Sequence, residues 1–242
     1  FHKADYLYSD PLQFLHAYTQ TEDQEVVGFI VSRIAYGNVT SINASCKKLL
    51  HHLGCRPHEL LLNANRQQLK KICEAIHYRF YRPSDFYLFL VAISKTLKNY
   101  GSLSKLAARL NFSNLEVAFD EFCSTILAQE NRTSYGLRYF FPNCVGGTAK
   151  RNHLFLRWMV RKDELDLGLW KFISPSQLLI PLDTHLFQVC RSWQLSSYQQ
   201  ASRPAMLEIT KNLKSFSPED PVQYDFALCR LGMFKNLDRE FQ

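Results

Sequence analysis

Helix boundaries recur along this chain far more often than any strand signal, and that punctuation restricts the fold more than length or composition does. Asp10-Pro11-Leu12-Gln13, Thr21-Glu22-Asp23-Gln24, Ser113-Asn114-Leu115-Glu116, Ser174-Pro175-Ser176-Gln177 and Ser217-Pro218-Glu219-Asp220 all read as helix starts. In each, a short polar side chain can accept an otherwise orphaned backbone N–H, or a proline or an acid falls in the first turn. Val26, Val27, Ile30, Val31 and Ile34 recur at helical spacing, as do Phe86, Phe89, Leu90, Ile93 and Leu97, so both segments are expected to be core helices. Polar turns near Gly37-Asn38, Gly54 to Pro57, Arg82-Pro83-Ser84 and Gly101-Ser102 separate the helices by lengths normal in a compact bundle. No strand hairpin is legible, and the expected fold is all-α.

The 242 residues are 46% hydrophobic and 14% aromatic, ample for a packed core and incompatible with a disordered chain. Formal charge is +7, which favours polyanionic partners. The cysteines (Cys46, Cys55, Cys73, Cys123, Cys144, Cys190, Cys229) are scattered, with no C-x-x-C pair and no terminal cluster. They read as reduced thiols of a cytosolic protein, and no metal or other cofactor is expected. No apolar run approaches the length of a membrane span, and no basic-then-apolar secretion pattern opens the sequence. It begins at Phe1 rather than Met, which leaves room for residues ahead of it.

The run Leu179-Ile180-Pro181-Leu182-Asp183-Thr184-His185-Leu186-Phe187-Gln188-Val189-Cys190-Arg191 sets one carboxylate between an apolar approach and a new amphipathic helix. Asp183 falls at an N-cap, where backbone N–H groups and the positive helix end hold it ionised. A purely structural cap would occupy the same position. The run resembles the "(V/L)DTH…R(V/L)" segment of the helix-hairpin-helix DNA glycosylases, the superfamily of endonuclease III, and the resemblance implies that Asp183 is a catalytic carboxylate. Part of that superfamily carries an iron–sulfur cluster near its C-terminus, for which this chain has no ligands.

Between 131 and 149 the helical pattern breaks into Tyr139-Phe140-Phe141-Pro142 and then Gly146-Gly147-Thr148-Ala149, leading into Lys150 and the apolar run Leu154-Phe155-Leu156-Arg157-Trp158-Met159. Glycines before a helix start let backbone N–H groups approach a phosphate. The stretch resembles a degenerate form of the superfamily's "LPGVGxxTA" hairpin, with extra residues after the proline. That implies DNA-backbone contacts at Gly146, Gly147, Thr148 and Arg151. Lys150 then corresponds to the nucleophilic lysine of the bifunctional members. Its amine must be neutral to attack, and burial beside Arg151 and Arg157 is expected to lower its pKa. The connection from Lys150 to Asp183 is longer than in endonuclease III, as in the archaeal oxidised-guanine glycosylases. Residues 161–170 are expected to form an added turn or short helix there. Lys162 and Lys171 are rival amines.

The segment from Val26 to Asn43 resembles the superfamily's early helix-loop-helix, and aligning Asn43 places Tyr36 where the family inserts a side chain into the gap left by an extruded base. Tyr36 could equally end a core helix. Trp158, Trp170, Tyr139 and Phe140 are candidates for a base pocket, although large aromatics are commonly core. Asp220 to Gly232 resembles the superfamily's late helix and is explained by packing. The blocks Leu154 to Arg161, Pro181 to His185 and Tyr224 to Gly232 also resemble an uncharacterised bacterial family of hypothetical proteins, itself a distant relative of the glycosylases.

The resemblance implies a two-lobed helical fold: a central lobe over 25–165 with the hairpin at about 139–150, and a second lobe from 1–24 plus 166–242. It implies a monomeric enzyme of the bacterial cytosol or nucleoid that excises a damaged base, such as an oxidised purine, from double-stranded DNA with Lys150 and Asp183. The alternatives are a non-catalytic DNA-binding protein on a decayed glycosylase fold, or a helical protein-interaction domain.

Overall fold

The structure, a computed structural model, describes residues 4–240, with side chains described for 6–232. Among the described residues, thirteen α-helices follow one another. They are α1 (Gln13–His16), α2 (Thr21–Ile34), α3 (Val39–Leu53), α4 (Pro57–Asn63), α5 (Arg66–Cys73), α6 (Pro83–Tyr100), α7 (Leu103–Ala107), α8 (Leu115–Leu127), α9 (Tyr135–Tyr139), α10 (Lys150–Val160), α11 (Thr184–Ser192), α12 (Arg203–Phe216) and α13 (Asp225–Glu240). Pairing of the strand type is confined there to two isolated bridges, Tyr78 with Tyr81 and Lys162 with Leu167. The chain is all-α, as its punctuation implies.

Two compact units divide the chain: Leu7–Pro142, and Asn143–Gln242 with Phe1–Tyr6. The lobe boundaries expected from the resemblance, at 24/25 and 165/166, fall inside these units. The first of them cuts α2.

In the Leu7–Pro142 unit the two apolar stripes seen in the sequence are core. Val27, Ile30, Val31 and Ile34 of α2 are fully buried, as are Phe86, Phe89, Leu90, Ile93 and Leu97 of α6. Leu88, Val91 and Ala92 on the other side of α6 are buried too, so this helix is wrapped on all sides, as a helix apolar around its circumference must be. It packs against α4, α5, α7, α8 and α9. Aromatic rings fill the space between them. Phe140 lies parallel to Tyr81 at 4.0 Å and to Phe89 at 4.3 Å, and Phe29 meets Phe122 edge-on at 5.8 Å.

In the other unit α11 packs on α13, and Leu186, Val189 and Cys190 meet Met206, Ile209 and Leu213 of α12 in one apolar cluster. After α10 the chain turns back on itself: Leu167 N–H donates to the Trp158 carbonyl at 3.0 Å and Trp170 N–H to that of Met159 at 2.7 Å. Residues 161–170 therefore form a turn rather than a helix, with Gly168 at a φ of +63°.

Helix starts agree with the sequence at Asn114, which accepts Val117 N–H, and at Ser174, which forms a reciprocal pair with Gln177. Ser217-Pro218-Glu219-Asp220 does not start a helix. Asp220 instead accepts Arg161 Nε at 2.9 Å, and α13 begins at Asp225. A charge-assisted bond to a buried guanidinium outweighs what a local cap offers.

Candidate active site

Lys150 and Asp183, remote in sequence, meet in space within the Asn143–Gln242 unit. Ala149 adopts a left-handed backbone at φ 37° and turns the chain into α10, whose first residue is Lys150. Asp183 is the N-cap of α11: its Oδ1 accepts Leu186 N–H at 2.8 Å, as the residue pattern around it implies. Its Oδ2 accepts from Lys150 Nζ, also at 2.8 Å. One carboxylate thus satisfies a helix start and an ammonium at once. The pair is not sealed from solvent, with 31% of the lysine side chain and 19% of the aspartate exposed.

The charge state of the amine corrects the sequence expectation. Burial does push Lys150 down, but the Asp183 carboxylate, with Cys229 and Asp225 adding to it, holds it above the ordinary lysine value. Arg157, expected to depress it, is committed elsewhere: its guanidinium clasps Asp166 through Nε and Nη2 at 3.0 and 3.1 Å and also donates to Asp225. A neutralised arginine no longer opposes the charge of its neighbour. Burial pushes Asp183 up, but the Lys150 ammonium and the Leu186 N–H bring it below the usual carboxylate range. Resting Lys150 is an ammonium in an ion pair, not a free amine.

A charged interior supports this pair. Arg161 reaches Asp163, Asp166 and Asp220, and Asp225 is buried beside Arg157. Burial raises the Asp225 carboxyl although the Arg157 guanidinium pulls it down. One turn beyond Lys150 on α10 sits His153, almost wholly buried, with neither ring nitrogen hydrogen-bonded; burial pushes it down to about 4. Asp225, Cys229 and His153 carried no sequence signal of a site beyond the Asp220 to Gly232 run, which reads as packing.

The other sequence candidates are dispersed. Gly146 N–H donates to Asn143 Oδ1 at 3.0 Å, so it is occupied within its own turn. Neither Gly146 nor Gly147 has positive φ, and a Cβ at Gly147 would meet nothing. The backbone alone therefore does not require glycine at these two positions. Thr148 is half-buried on the same loop, and Arg151 is buried, which removes it from a surface phosphate contact. Lys162 and Lys171 are exposed, and Lys150 is the amine bonded to Asp183. Trp158 and Trp170 are core side chains, the latter edge-on to Phe155 at 5.2 Å. Phe140 is core in the Leu7–Pro142 unit. Tyr36, in that unit as well, is half-buried and packed edge-on by Tyr78, Tyr81 and Tyr139, with Arg79 over its face at 5.3 Å. Of the named aromatics, Tyr139 is exposed.

No group of three or more His, Cys, Asp or Glu side chains among the described residues is arranged to hold a metal ion. No described helix is long and apolar enough to cross a membrane.

This lysine–aspartate pair on two helix starts lies in a chain that belongs to the family described as "Protein of unknown function (DUF2400)", whose model matches residues 10–234. No curated protein and no solved structure matches the chain.

Proposed function

We propose that this protein is a DNA glycosylase with abasic-site lyase activity, built on a two-lobed fold of the helix-hairpin-helix glycosylase type and acting on a damaged base in duplex DNA. The observation that carries the reading is the 2.8 Å contact between Lys150 Nζ and Asp183 Oδ2. The net charge of +7 suits a polyanionic substrate.

In this mechanism Lys150 Nζ, once it has given up a proton, forms a bond to C1′ of the damaged nucleotide. The C1′–N bond breaks, its electron pair leaves with the base, and the base takes up a proton. Opening of the sugar ring gives a Schiff base, and loss of the C2′ proton then expels the 3′ phosphate by β-elimination. Asp183 remains ionised and stabilises positive charge developing at the sugar. Because the resting amine is charged, only a small deprotonated fraction reacts near neutrality. The rate of Schiff-base formation is therefore expected to climb with pH and to go on climbing through the ordinary lysine range, because the Asp183 carboxylate holds the ammonium.

Borohydride trapping tests this, on duplexes carrying oxidised guanine, uracil or an abasic site. Trapping should vanish in Lys150→Ala. Turnover should collapse in Asp183→Asn, because asparagine still caps α11 but carries no charge. Wild-type activity in Asp183→Asn would refute the assignment.

The ion pair also favours a second reading, in which Lys150 and Asp183 only join α10 to α11 in a DNA-binding protein without catalysis. Salt-steep duplex binding with no covalent product on any of the three substrates would select it.

A further inference from the structure

The Leu7–Pro142 unit carries three exposed aromatic rings in one cluster, and its architecture fixes them there. Phe80 is 42% exposed, Tyr135 77% and Tyr139 36%. Phe80 meets Tyr139 edge-on at 4.7 Å and is tilted against Tyr135 at 5.8 Å, while Tyr135 and Tyr139, one turn apart on α9, stack at 6.2 Å with 27° between their planes. Leaving such rings in water forgoes the stabilisation that burial would give them.

Two separate segments are held together to make this surface. Phe80 is on a tight turn closed by reciprocal backbone bonds between Tyr78 and Tyr81, and Arg79 on that turn takes a φ of 54° that non-glycine residues seldom adopt. The buried Asp85 carboxylate accepts Arg82 N–H at 2.9 Å at the end of this turn and the Ser134 hydroxyl at the start of α9. Gly136 allows the contact: a Cβ there would come within 2.3 Å of the Asp85 carboxyl carbon. An unusual backbone, a buried acid and an obligatory glycine thus all serve to set exposed rings side by side. Strain and close packing of this kind tend to persist where a surface is used.

The charge carried by these two segments has one sign. Arg79, Arg82 and Arg138 are exposed on the same two segments, and residues 75–84 and 131–142 contain no Asp or Glu. Of the acids that bound these segments and are buried, Asp85 is bonded as described and Glu130 is matched by Arg66, Lys95 and Arg132.

We propose that Phe80, Tyr135 and Tyr139 form a stacking platform for unpaired bases of a single-stranded polynucleotide, with Arg79, Arg82 and Arg138 meeting its phosphates. Flat rings accept any base face, and arginines alongside track the backbone, so such a site binds without reading sequence. The proposal shares the polynucleotide ligand with the function proposed above, but it does not rest on the Lys150–Asp183 chemistry. Loss of borohydride trapping leaves it standing.

The test is fluorescence anisotropy of the full chain with labelled oligothymidylate and with an equally long abasic sugar-phosphate oligomer. Wild type should prefer the base-bearing strand. Tyr135→Ala and Phe80→Leu should each weaken that strand roughly five- to a hundredfold and leave the abasic oligomer nearly unaffected, with unchanged melting temperature. Tyr135 is largely solvent-exposed, so its replacement does not threaten folding. Equal affinity of wild type for the two oligomers overturns the proposal. So does retention of oligothymidylate affinity in both variants, or absence of any polynucleotide binding at low salt, which would leave the patch to a protein partner.

Discussion

The two units solve the problem of a stable interior differently. In Leu7–Pro142 the centre is aromatic: Phe29, Phe86, Phe89, Phe122 and Phe140 are fully buried and stack or meet edge to face. In Asn143–Gln242 an apolar cluster coexists with buried charge, where Arg157 and Arg161 share Asp166 and reach Asp225 and Asp220. An aromatic core depends on shape and area, and is insensitive to salt or pH. A charged core depends on each charge keeping its counter-charge, because an isolated buried ion costs several kcal/mol. It is the charged unit that holds the lysine–aspartate pair. The difference teaches where buried guanidinium and carboxylate groups share partners: around Arg157, Arg161 and Asp166 in the unit that holds the lysine–aspartate pair, whereas the buried charges of the other unit, among them Arg33, Asp85 and Glu130, accompany an aromatic centre.

The largest effects should come from breaking either core. Asp166→Ala removes the carboxylate shared by Arg157 and Arg161, and is expected to cost about 3–5 kcal/mol in chemical denaturation. Phe140→Ala empties the space between Tyr81 and Phe89 and is expected to cost about 3–5 kcal/mol as well. The two should separate on repair: Asp166→Asn, with one oxygen and no charge, should regain little, whereas Phe140→Leu should recover much of the loss. Equal rescue of both would erase the contrast between the cores.

A smaller, pH-dependent effect belongs to His153. Its folded pKa, about 4, lies below the ordinary 6.5, so the unfolded chain takes up a proton that the folded chain refuses. Stability is therefore fully present above pH ~6.5 and falls as pH drops towards ~4, by about 3 kcal/mol across that interval. Comparing melting temperatures of wild type and His153→Leu from neutral to acid pH measures this share. Parallel curves would show that His153 does not carry it.

The smallest effects are expected at the exposed edge of the charged unit. Asp183→Asn keeps the cap of α11, keeps an oxygen that can accept from the Lys150 ammonium and leaves that ammonium in reach of water, so its cost in denaturant should stay within about 1–2 kcal/mol. Gly147→Ala, with ordinary φ and open space around it, should change stability by less than ~0.5 kcal/mol. A Gly147→Ala variant of normal stability that binds duplex DNA weakly would show a backbone approach to phosphate there.

Much of the helical framework was legible because capping and apolar periodicity are local. The stripes of α2 and α6 and the cap at Asp183 require only residues within a turn or two of one another. Where a local signal failed, at Ser217 to Asp220, a distant group had claimed the side chain: Arg161 engages Asp220. The same rule explains the candidate site. The pairing of Lys150 with Asp183 was an expectation carried by resemblance, whereas the charge of the amine turned on burial being outweighed by the Asp183 carboxylate at hydrogen-bond distance, with Cys229 and Asp225 adding to it and Arg157 committed elsewhere, a balance that sequence spacing does not reveal. Aromatic residues were the least legible. Nothing local distinguishes Phe140, sandwiched in the core, from Tyr139 beside it at the surface.

By itself, then, the sequence determined that this chain is helical, where most helices start, which faces they bury, and that one aspartate opens α11. Only the tertiary structure decided which charges neutralise one another, which rings remain in water, and that Lys150 rests as an ammonium. The physical reason is range. Helix formation and capping are settled by neighbours a few residues apart, while desolvation and Coulomb interactions are settled by whatever the fold brings within a few ångströms.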